Sequence, residues 1–246
     1  MEIIREEILG YGVDLVTMNG GLDYISEKIL NNEGAHIVTL NPEMIEMGDK
    51  DIRLANILKN ADLIIPDGMG IRLALKMRGV KQEKIPGVEF ARELINLCAE
   101  NNCPVALVGA QEEVINRAAE NIRKETPNVN IVYKHNGYYD DEDAVMNEII
   151  ERGAKVVMVA MGVPRQEFFI DKMKTRKSDI ILIGVGGSFD VWSGFTKRAP
   201  VIWRKLGLEW LYRAIKQPER FKRIFPALPR FLFRVIMEAI QLEKEY

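Results

Sequence analysis

The chain has 246 residues, of which 47% are hydrophobic and 28% charged, and its formal net charge is −2. This composition is typical of a globular protein, and the length allows one large α/β domain with a sizeable core. No run approaches the roughly 18 apolar residues of a membrane-spanning helix, and the charged residues after Met1 predict no signal peptide. Cys98 and Cys103 do not form a CxxC pair and are expected to be core residues in a reducing cytosol.

The first two-thirds of the chain alternate short β-branched runs with longer amphipathic stretches. The predicted strands are 13–18, 36–40, 63–66, 105–109, 131–134, 156–161 and 180–185, and the predicted helices lie near 21–32, 69–78, 87–101, 111–125, 140–152 and 164–175. Nearly continuous apolar strands in this alternation predict an α/β fold with a mostly parallel sheet and helices on both faces. Ligands of such sheets bind at the carboxyl ends of the strands, near a topological switch point.

Asp67 is the most distinctive of the residues that follow a predicted strand. It comes directly after an apolar run and precedes Gly68 and a helix. It is either the N-cap of that helix or a carboxylate held at the sheet edge as a general base. Thr39 and Asn41 follow the preceding strand, where they are placed to orient a hydroxyl or a sugar beside it.

Two glycine clusters follow other strands. Gly186 and Gly187 belong to the run 184–187, and Gly109 ends the fourth predicted strand just before a helix. Neither is a GxGxxG fingerprint, so a tight turn and the close approach of a nucleotide both stay open. The missing fingerprint disfavours a dehydrogenase.

Metal-ligating patterns are weak in this sequence. The acidic run 140–143 opens a predicted helix, and capping together with the helix dipole explains it better than a metal site. His36 and His135 are too isolated to indicate a site. We therefore predict neither a metal nor a cofactor.

Residues 196–246 differ in chemistry from residues 1–195. They carry 12 Lys and Arg against 5 Asp and Glu, whereas the rest carries 22 against 31. Trp203, Trp210, Tyr212 and several phenylalanines lie among these cations. We therefore predict a core over 1–195 and a basic amphipathic appendage over 196–246, with a surface that meets an anionic partner.

The appendage contains two amphipathic stretches, 200–217 and 229–242. The second has a single narrow polar stripe made of Arg230, Arg234, Glu238 and Gln241. So wide an apolar face must be buried against the body, against another subunit or in a membrane interface. The Trp, Tyr, Arg and Lys content favours the membrane interface, and the apolar width disfavours nucleic acid.

Taken together, these motifs closely resemble those of the WecG/TagA/CpsF glycosyltransferases. In chain order they are Thr39-Leu-Asn41-Pro-Glu, Pro66-Asp67-Gly68-x-Gly70, Pro86-Gly87-x-Glu89, Gly162-x-Pro164-x-Gln166-Glu167, Gly184-Val-Gly-Gly-x-Phe-Asp190, Arg198-Ala-Pro200 and Gly207-Leu-Glu209-Trp-x-Tyr-Arg213. The match runs from about residue 12 to residue 225, so it covers most of the chain.

The resemblance implies a Rossmann-like fold and an inverting transfer that requires no metal. The sugar would be N-acetylmannosamine, moved from UDP-ManNAc to the 4-hydroxyl of GlcNAc on undecaprenyl diphosphate, as in wall teichoic acid linkage-unit synthesis. In this transfer Asp67 would be the base, with Thr39 and Asn41 beside it. The substrate-binding residues would be Gly68, Gly109, Gln166, Glu167, Gly186, Gly187 and Asp190. The diphosphate would be stabilised by Arg213, Arg220 and Arg223 of the appendage.

The lipid acceptor implies a peripheral position on the inner face of the cell membrane. The exposed apolar surface would also allow self-association. Two alternatives stay open: a transferase of the same family with another donor, such as UDP-ManNAcA or a UDP-hexose, and a non-enzymatic nucleotide-binding protein recruited to membranes by its tail.

Overall fold

The computed structural model describes residues 3–205, 209–216 and 218–244. Its strands are β1 (Arg5–Ile8), β2 (Tyr11–Asp14), β3 (Ala35–Leu40), β4 (Leu63–Pro66), β5 (Val105–Gly109), β6 (Ile131–His135), β7 (Val156–Ala160) and β8 (Ile181–Gly184). Its helices are α1 (Met18–Leu30), α2 (Pro42–Gly48), α3 (Ile52–Lys59), α4 (Gly68–Met77), α5 (Gly87–Glu100), α6 (Glu112–Glu125), α7 (Glu142–Glu151), α8 (Arg165–Arg176), α9 (Ser188–Trp192), α10 (Val201–Lys205), α11 (Glu209–Lys216) and α12 (Pro218–Lys244).

Six of these strands form one parallel sheet in the order β4-β3-β8-β7-β5-β6. Successive side chains of a strand point to opposite faces, so Ile37 and Val38 of β3 enter different hydrophobic cores. Helices α5 and α6 cover one face, and α2, α3, α4, α7 and α8 cover the other. The prediction of a mostly parallel α/β sheet is confirmed.

The predicted strand 13–18 is wrong. Only Val13 and Asp14 are in a strand: they end β2, which pairs with β1 in an antiparallel hairpin outside the main sheet. Asp14 accepts hydrogen bonds from Arg5 Nε at 2.6 Å and from the Ile64 amide at 2.7 Å, which ties the hairpin to β4. Thr17 then caps α1 by accepting from the Gly20 amide at 3.0 Å, so Met18 begins a helix.

The other predicted strands agree with the observed ones to within one residue at each end. The sequence missed α2 and α3, which fill the segment between β3 and β4. It also placed the start of the last helix at residue 229, whereas α12 begins at Pro218. Cys98 and Cys103 are buried free thiols, as expected.

Helix α12 packs against α2 and α4. Phe231 and Val235 are buried in the same core cluster as Ile71 and Ala74 of α4. At Gly70 the helices come so close that an added Cβ would lie 3.3 Å from Leu228 and 3.4 Å from Phe231. The appendage is therefore anchored to the body through its last helix.

Two members of the polar stripe of α12, Arg234 and Glu238, contact the protein body, whereas Arg230 and Gln241 are exposed. Arg234 donates to Glu46 at 2.9 Å and also pairs with Asp49. Glu238 pairs with Arg78 at 2.6 Å and accepts from the Leu9 amide. The other side of the helix exposes an apolar set, which is Phe233, Ile236, Met237 and Ile240. Within the described ranges, no helix combines the length and apolar character needed to cross a membrane.

The substitution Phe231→Ala tests whether α12 is part of the cooperative fold. It should lower the free energy of unfolding in urea by about 3–5 kcal/mol, because it leaves a cavity between α12 and the core. The matched substitution Phe233→Ala removes a side chain that is 64% exposed, so it should change that energy by less than about 0.5 kcal/mol. Equally small effects would show that α12 does not stabilise the core.

Candidate active site

A cavity of about 600 Å³ opens at the carboxyl ends of four neighbouring strands, β4, β3, β8 and β7. After β3 the chain moves outward to β4, whereas β8 is reached from β7 on its other side. These connections leave β3 and β8 side by side, so their carboxyl ends meet at the edge where open α/β sheets bind their ligands. Eight of the predicted site residues line this cavity: Thr39, Asn41, Asp67, Gly68, Gln166, Gly186, Gly187 and Asp190.

Asp67 lies at the cavity wall, directly after β4. Its amide donates to the Leu40 carbonyl at 2.8 Å, which fixes it against the end of β3. It occupies the N-cap position of α4, yet its side chain makes no capping hydrogen bond with that helix. The sequence left open whether the Asp67 side chain caps α4, and in the structure it does not.

Thr39 and Asn41 lie beside Asp67 because β3 and β4 are adjacent. Asn41 caps α2, accepting from the Met44 amide at 3.1 Å through Oδ1, so its amide nitrogen takes no part in the cap. Thr39 touches the start of α5, where a Cβ on Gly87 would lie 3.0 Å from Thr39 Cγ2. The glycine thus lets the helix begin close to the strand end.

A buried chain of hydrogen bonds fixes Gln166. Its Nε2 donates to Glu167 Oε1 at 2.9 Å, and its Oε1 accepts from the Gly186 amide at 3.2 Å. Glu167 Oε2 lies 3.2 Å from His36 Nε2. Glu167 and His36 are 1% and 3% exposed, and buried charged or polar groups need such partners.

These hydrogen bonds place Glu167 differently from the expectation that it binds substrate. The residue is not among those that line the cavity, and its carboxylate instead holds the Gln166 side chain. His36, which looked isolated in the sequence, is its partner. The sequence signal was weak, because residues 36 and 167 meet through β3 and the start of α8.

Gly109 is also not among the cavity-lining residues. It ends β5 with φ of +128°, and an added Cβ would lie 2.3 Å from the Ala160 carbonyl oxygen. Only glycine permits that close approach. In the structure Gly109 therefore packs the end of β5 against β7.

The cavity also contains charged residues that the sequence did not single out. These residues are Arg72 of α4, Lys84 between α4 and α5, and Glu209 of α11. The cavity is also lined by Ala227 and Leu228 of α12. Arg198 pairs with Glu89 at 2.9 Å and lies 3.7 Å from Glu209, which links α11 to α5. The appendage thus reaches the cavity.

The three predicted appendage arginines belong to α11 and α12. The side chains of Arg213, Arg220 and Arg223 lie outside the part of the chain whose side chains are described. Among the residues that are described, no group of three or more His, Cys, Asp or Glu is arranged to hold a metal ion. Asp141 caps α7 by accepting from the Ala144 amide at 3.0 Å, in agreement with the capping interpretation of the acidic run.

The fold and the cavity define an α/β protein with a cavity at the carboxyl ends of its parallel strands, lined by the carboxylate of Asp67 and by the cations Arg72 and Lys84. Residues 6–245 match the glycosyl transferase WecG/TagA/CpsF family, and the chain belongs to that family.

Two curated relatives carry the same name, N-acetylglucosaminyldiphosphoundecaprenol N-acetyl-beta-D-mannosaminyltransferase. The Bacillus subtilis protein is 34% identical over 219 residues, which are 88% of this chain and 85% of the relative. The Bacillus spizizenii protein is 34% identical over 206 residues, which are 83% of this chain and 80% of the relative.

The substitution Gly184→Ala tests the buried chain around Gln166. A Cβ there would lie 2.4 Å from Gln166 Nε2 and 2.9 Å from Glu167 Oε1, so the glutamine must shift. We expect a loss of about 1–3 kcal/mol in stability and a lower rate of sugar transfer. Gly153→Ala adds the same methyl group where it meets nothing within 4 Å; because Gly153 has a φ of +69°, it should cost about 1–2 kcal/mol of stability yet leave the transfer rate unchanged. Equal rates for both variants would contradict the positioning of Gln166.

Proposed function

We propose that this chain moves N-acetylmannosamine from UDP-ManNAc to the 4-hydroxyl of GlcNAc-diphospho-undecaprenol, with inversion at the anomeric carbon. The names of the two relatives support the sugar and the acceptor. The observation that carries the proposal is Asp67, which lies at the wall of the cavity at the strand ends, beside Thr39 and Asn41.

In this proposal Asp67 is the general base of a single displacement. Its carboxylate takes the proton of the acceptor hydroxyl while the hydroxyl oxygen bonds to the anomeric carbon. The bond from that carbon to the UDP oxygen breaks, and UDP leaves with the electron pair. Thr39 and the amide nitrogen of Asn41 orient the acceptor sugar, which limits the motion needed to reach the reacting geometry.

The departing UDP gains negative charge that must be stabilised. Fixed guanidinium groups are suited to this task, because they present planar donors to phosphate oxygens. We assign it to Arg213, Arg220 and Arg223. The backbone at Gly186 and Gly187 provides the close approach for the nucleotide, and the bond from Gly186 to Gln166 holds that turn in place.

The appendage also accounts for access to a lipid acceptor. The apolar side of α12 is exposed, while the same helix contributes Ala227 and Leu228 to the cavity. An apolar surface next to the site suits a protein that works on the inner face of the cell membrane. Docking on the bilayer would then bring the appendage arginines to the site where the acceptor is present.

The first test is the release of UDP from UDP-ManNAc, with and without the GlcNAc-diphospho-undecaprenol acceptor, in EDTA throughout. Release should depend on the acceptor, and Asp67→Asn should lower its turnover number by about 100-fold or more, because the base is lost. Asp23→Asn makes the same change at an exposed position of α1 and should have no effect. An unaltered rate in Asp67→Asn would show that Asp67 is not the general base. Turnover with another UDP-sugar, but not with UDP-ManNAc, would show that the donor is different.

Membrane docking is tested by co-sedimentation with anionic vesicles. Changing Phe233, Ile236 and Ile240 together to Gln removes exposed apolar surface without touching the buried Phe231 and Val235. We expect a clear loss of the pelleted fraction, because insertion depends on apolar area.

The matched control for the vesicle experiment changes Leu30 and Ile52 to Gln. These residues are also exposed, but they lie on α1 and α3, away from the appendage. The control should pellet like the unmodified chain. If the α12 variant also pellets fully, this side of α12 is not the docking surface.

A further inference from the structure

We infer that α4 is the helix that binds the lipid acceptor, with Arg72 as ligand of its diphosphate and an apolar row as the seat of its polyprenyl chain. The row consists of Met69, Leu73 and Met77. This inference rests on the proposed function, since it concerns the same acceptor, and it assigns the acceptor's position in the cavity.

Arg72 is the evidence for a diphosphate site. It lines the cavity, and its Nε is buried with no hydrogen-bond partner in the part of the chain that is described. A buried guanidinium donor without an acceptor is unfavourable, so a ligand that supplies oxygen atoms there is favoured. The planar donors of arginine match phosphate oxygens, which makes a phosphate group the ligand of choice.

The spacing along α4 fits a sugar diphosphate. Asp67 precedes the first residue of α4, and Arg72 follows it by five positions, or about 7.5 Å along the helix axis at about 1.5 Å per residue. In the acceptor, one sugar ring separates the 4-hydroxyl from the diphosphate on the anomeric carbon. A hydroxyl at Asp67 therefore brings the first phosphate towards Arg72.

The apolar row on α4 is the evidence for a seat of the polyprenyl chain. Met69, Leu73 and Met77 are spaced by four residues, so they share one face of α4. They are 41%, 40% and 41% exposed, whereas Ile71, Ala74 and Leu75 of the same helix are fully buried in the core. Met69 also lines the cavity, so the row begins at the site and leads away from it.

The order of these groups selects the acceptor over the donor. A nucleotide sugar has a diphosphate but no apolar chain, whereas the acceptor has a diphosphate followed directly by a long apolar chain. A cation in the cavity and an apolar row beginning beside it match that order. Methionine side chains are flexible and polarisable, which suits a chain without fixed shape.

The test measures binding without turnover, in detergent and without donor. The probes are GlcNAc-diphospho-undecaprenol, an analogue with a butyl group in place of the undecaprenyl chain, and UDP. Arg72→Gln should weaken both GlcNAc-diphosphate probes by about 10- to 100-fold, because a charged hydrogen bond is lost. UDP affinity should stay within about twofold, and Lys76→Gln, an exposed cation on the same helix, should bind all probes normally.

Leu73→Gln isolates the apolar row. It should weaken GlcNAc-diphospho-undecaprenol by about three- to tenfold and leave the butyl analogue unaffected, because only the long chain reaches the row. Ile52→Gln, which changes an exposed side chain on α3, should alter neither affinity.

Two results would overturn the inference. If Arg72→Gln weakens UDP and spares the acceptor probes, Arg72 belongs to the donor site. If Leu73→Gln lowers vesicle binding but not the affinity for the undecaprenyl probe in detergent, the row faces the bilayer instead. Because no turnover is needed, α4-dependent acceptor binding without sugar transfer would reject the proposed function and leave this inference standing.

Discussion

The parallel pairing of β3 with β8 is the constraint on which the site depends. Ile37 lies opposite Ile183 in this pair, although the two residues are far apart in the chain. On the outer side of β3, β4 ends at Pro66 and leads directly to Asp67, and on the outer side of β8, β7 leads to Gln166. Since parallel strands end at the same edge, this one pairing brings the carboxylate of Asp67, the polar side chains of Thr39 and Asn41, and the glycine turn around a single cavity. Without it, the sheet would be two halves with half a site each.

The same pairing also positions two buried side chains that support the site, Glu167 and Gln166. It sets His36 next to the start of α8, where the buried Glu167 needs a partner, and so it fixes Gln166 against the Gly186 amide. On the opposite wall, α12 clamps the beginning of α4 through Phe231, while Leu228 of the same helix lines the cavity. Helix α12 therefore both closes the core and exposes apolar side chains next to the cavity.

Much of this could be predicted from the sequence, because the strands are short apolar runs and the residues after them are polar or small. That pattern placed Asp67, Thr39 and Gln166 at one sheet edge. The prediction of a strand at 13–18 was wrong because this segment pairs with β1 instead of joining the main sheet, and no local pattern distinguishes the two partners. His36 and Arg72 were missed because their roles depend on neighbours distant in the chain or on the rotation of α4. The polar stripe of α12 was seen, but its direction depends on the Arg234–Glu46 pair, which no local pattern encodes.

In the proposed reaction, one displacement assisted by Asp67 transfers the sugar. The most direct measurement is the anomeric configuration of the new linkage, determined by NMR on the purified product and compared with that of the donor sugar. A single displacement predicts inversion, because the acceptor oxygen enters on the face opposite to the departing UDP. A retained configuration would contradict the account, since it requires two displacements and a different role for Asp67.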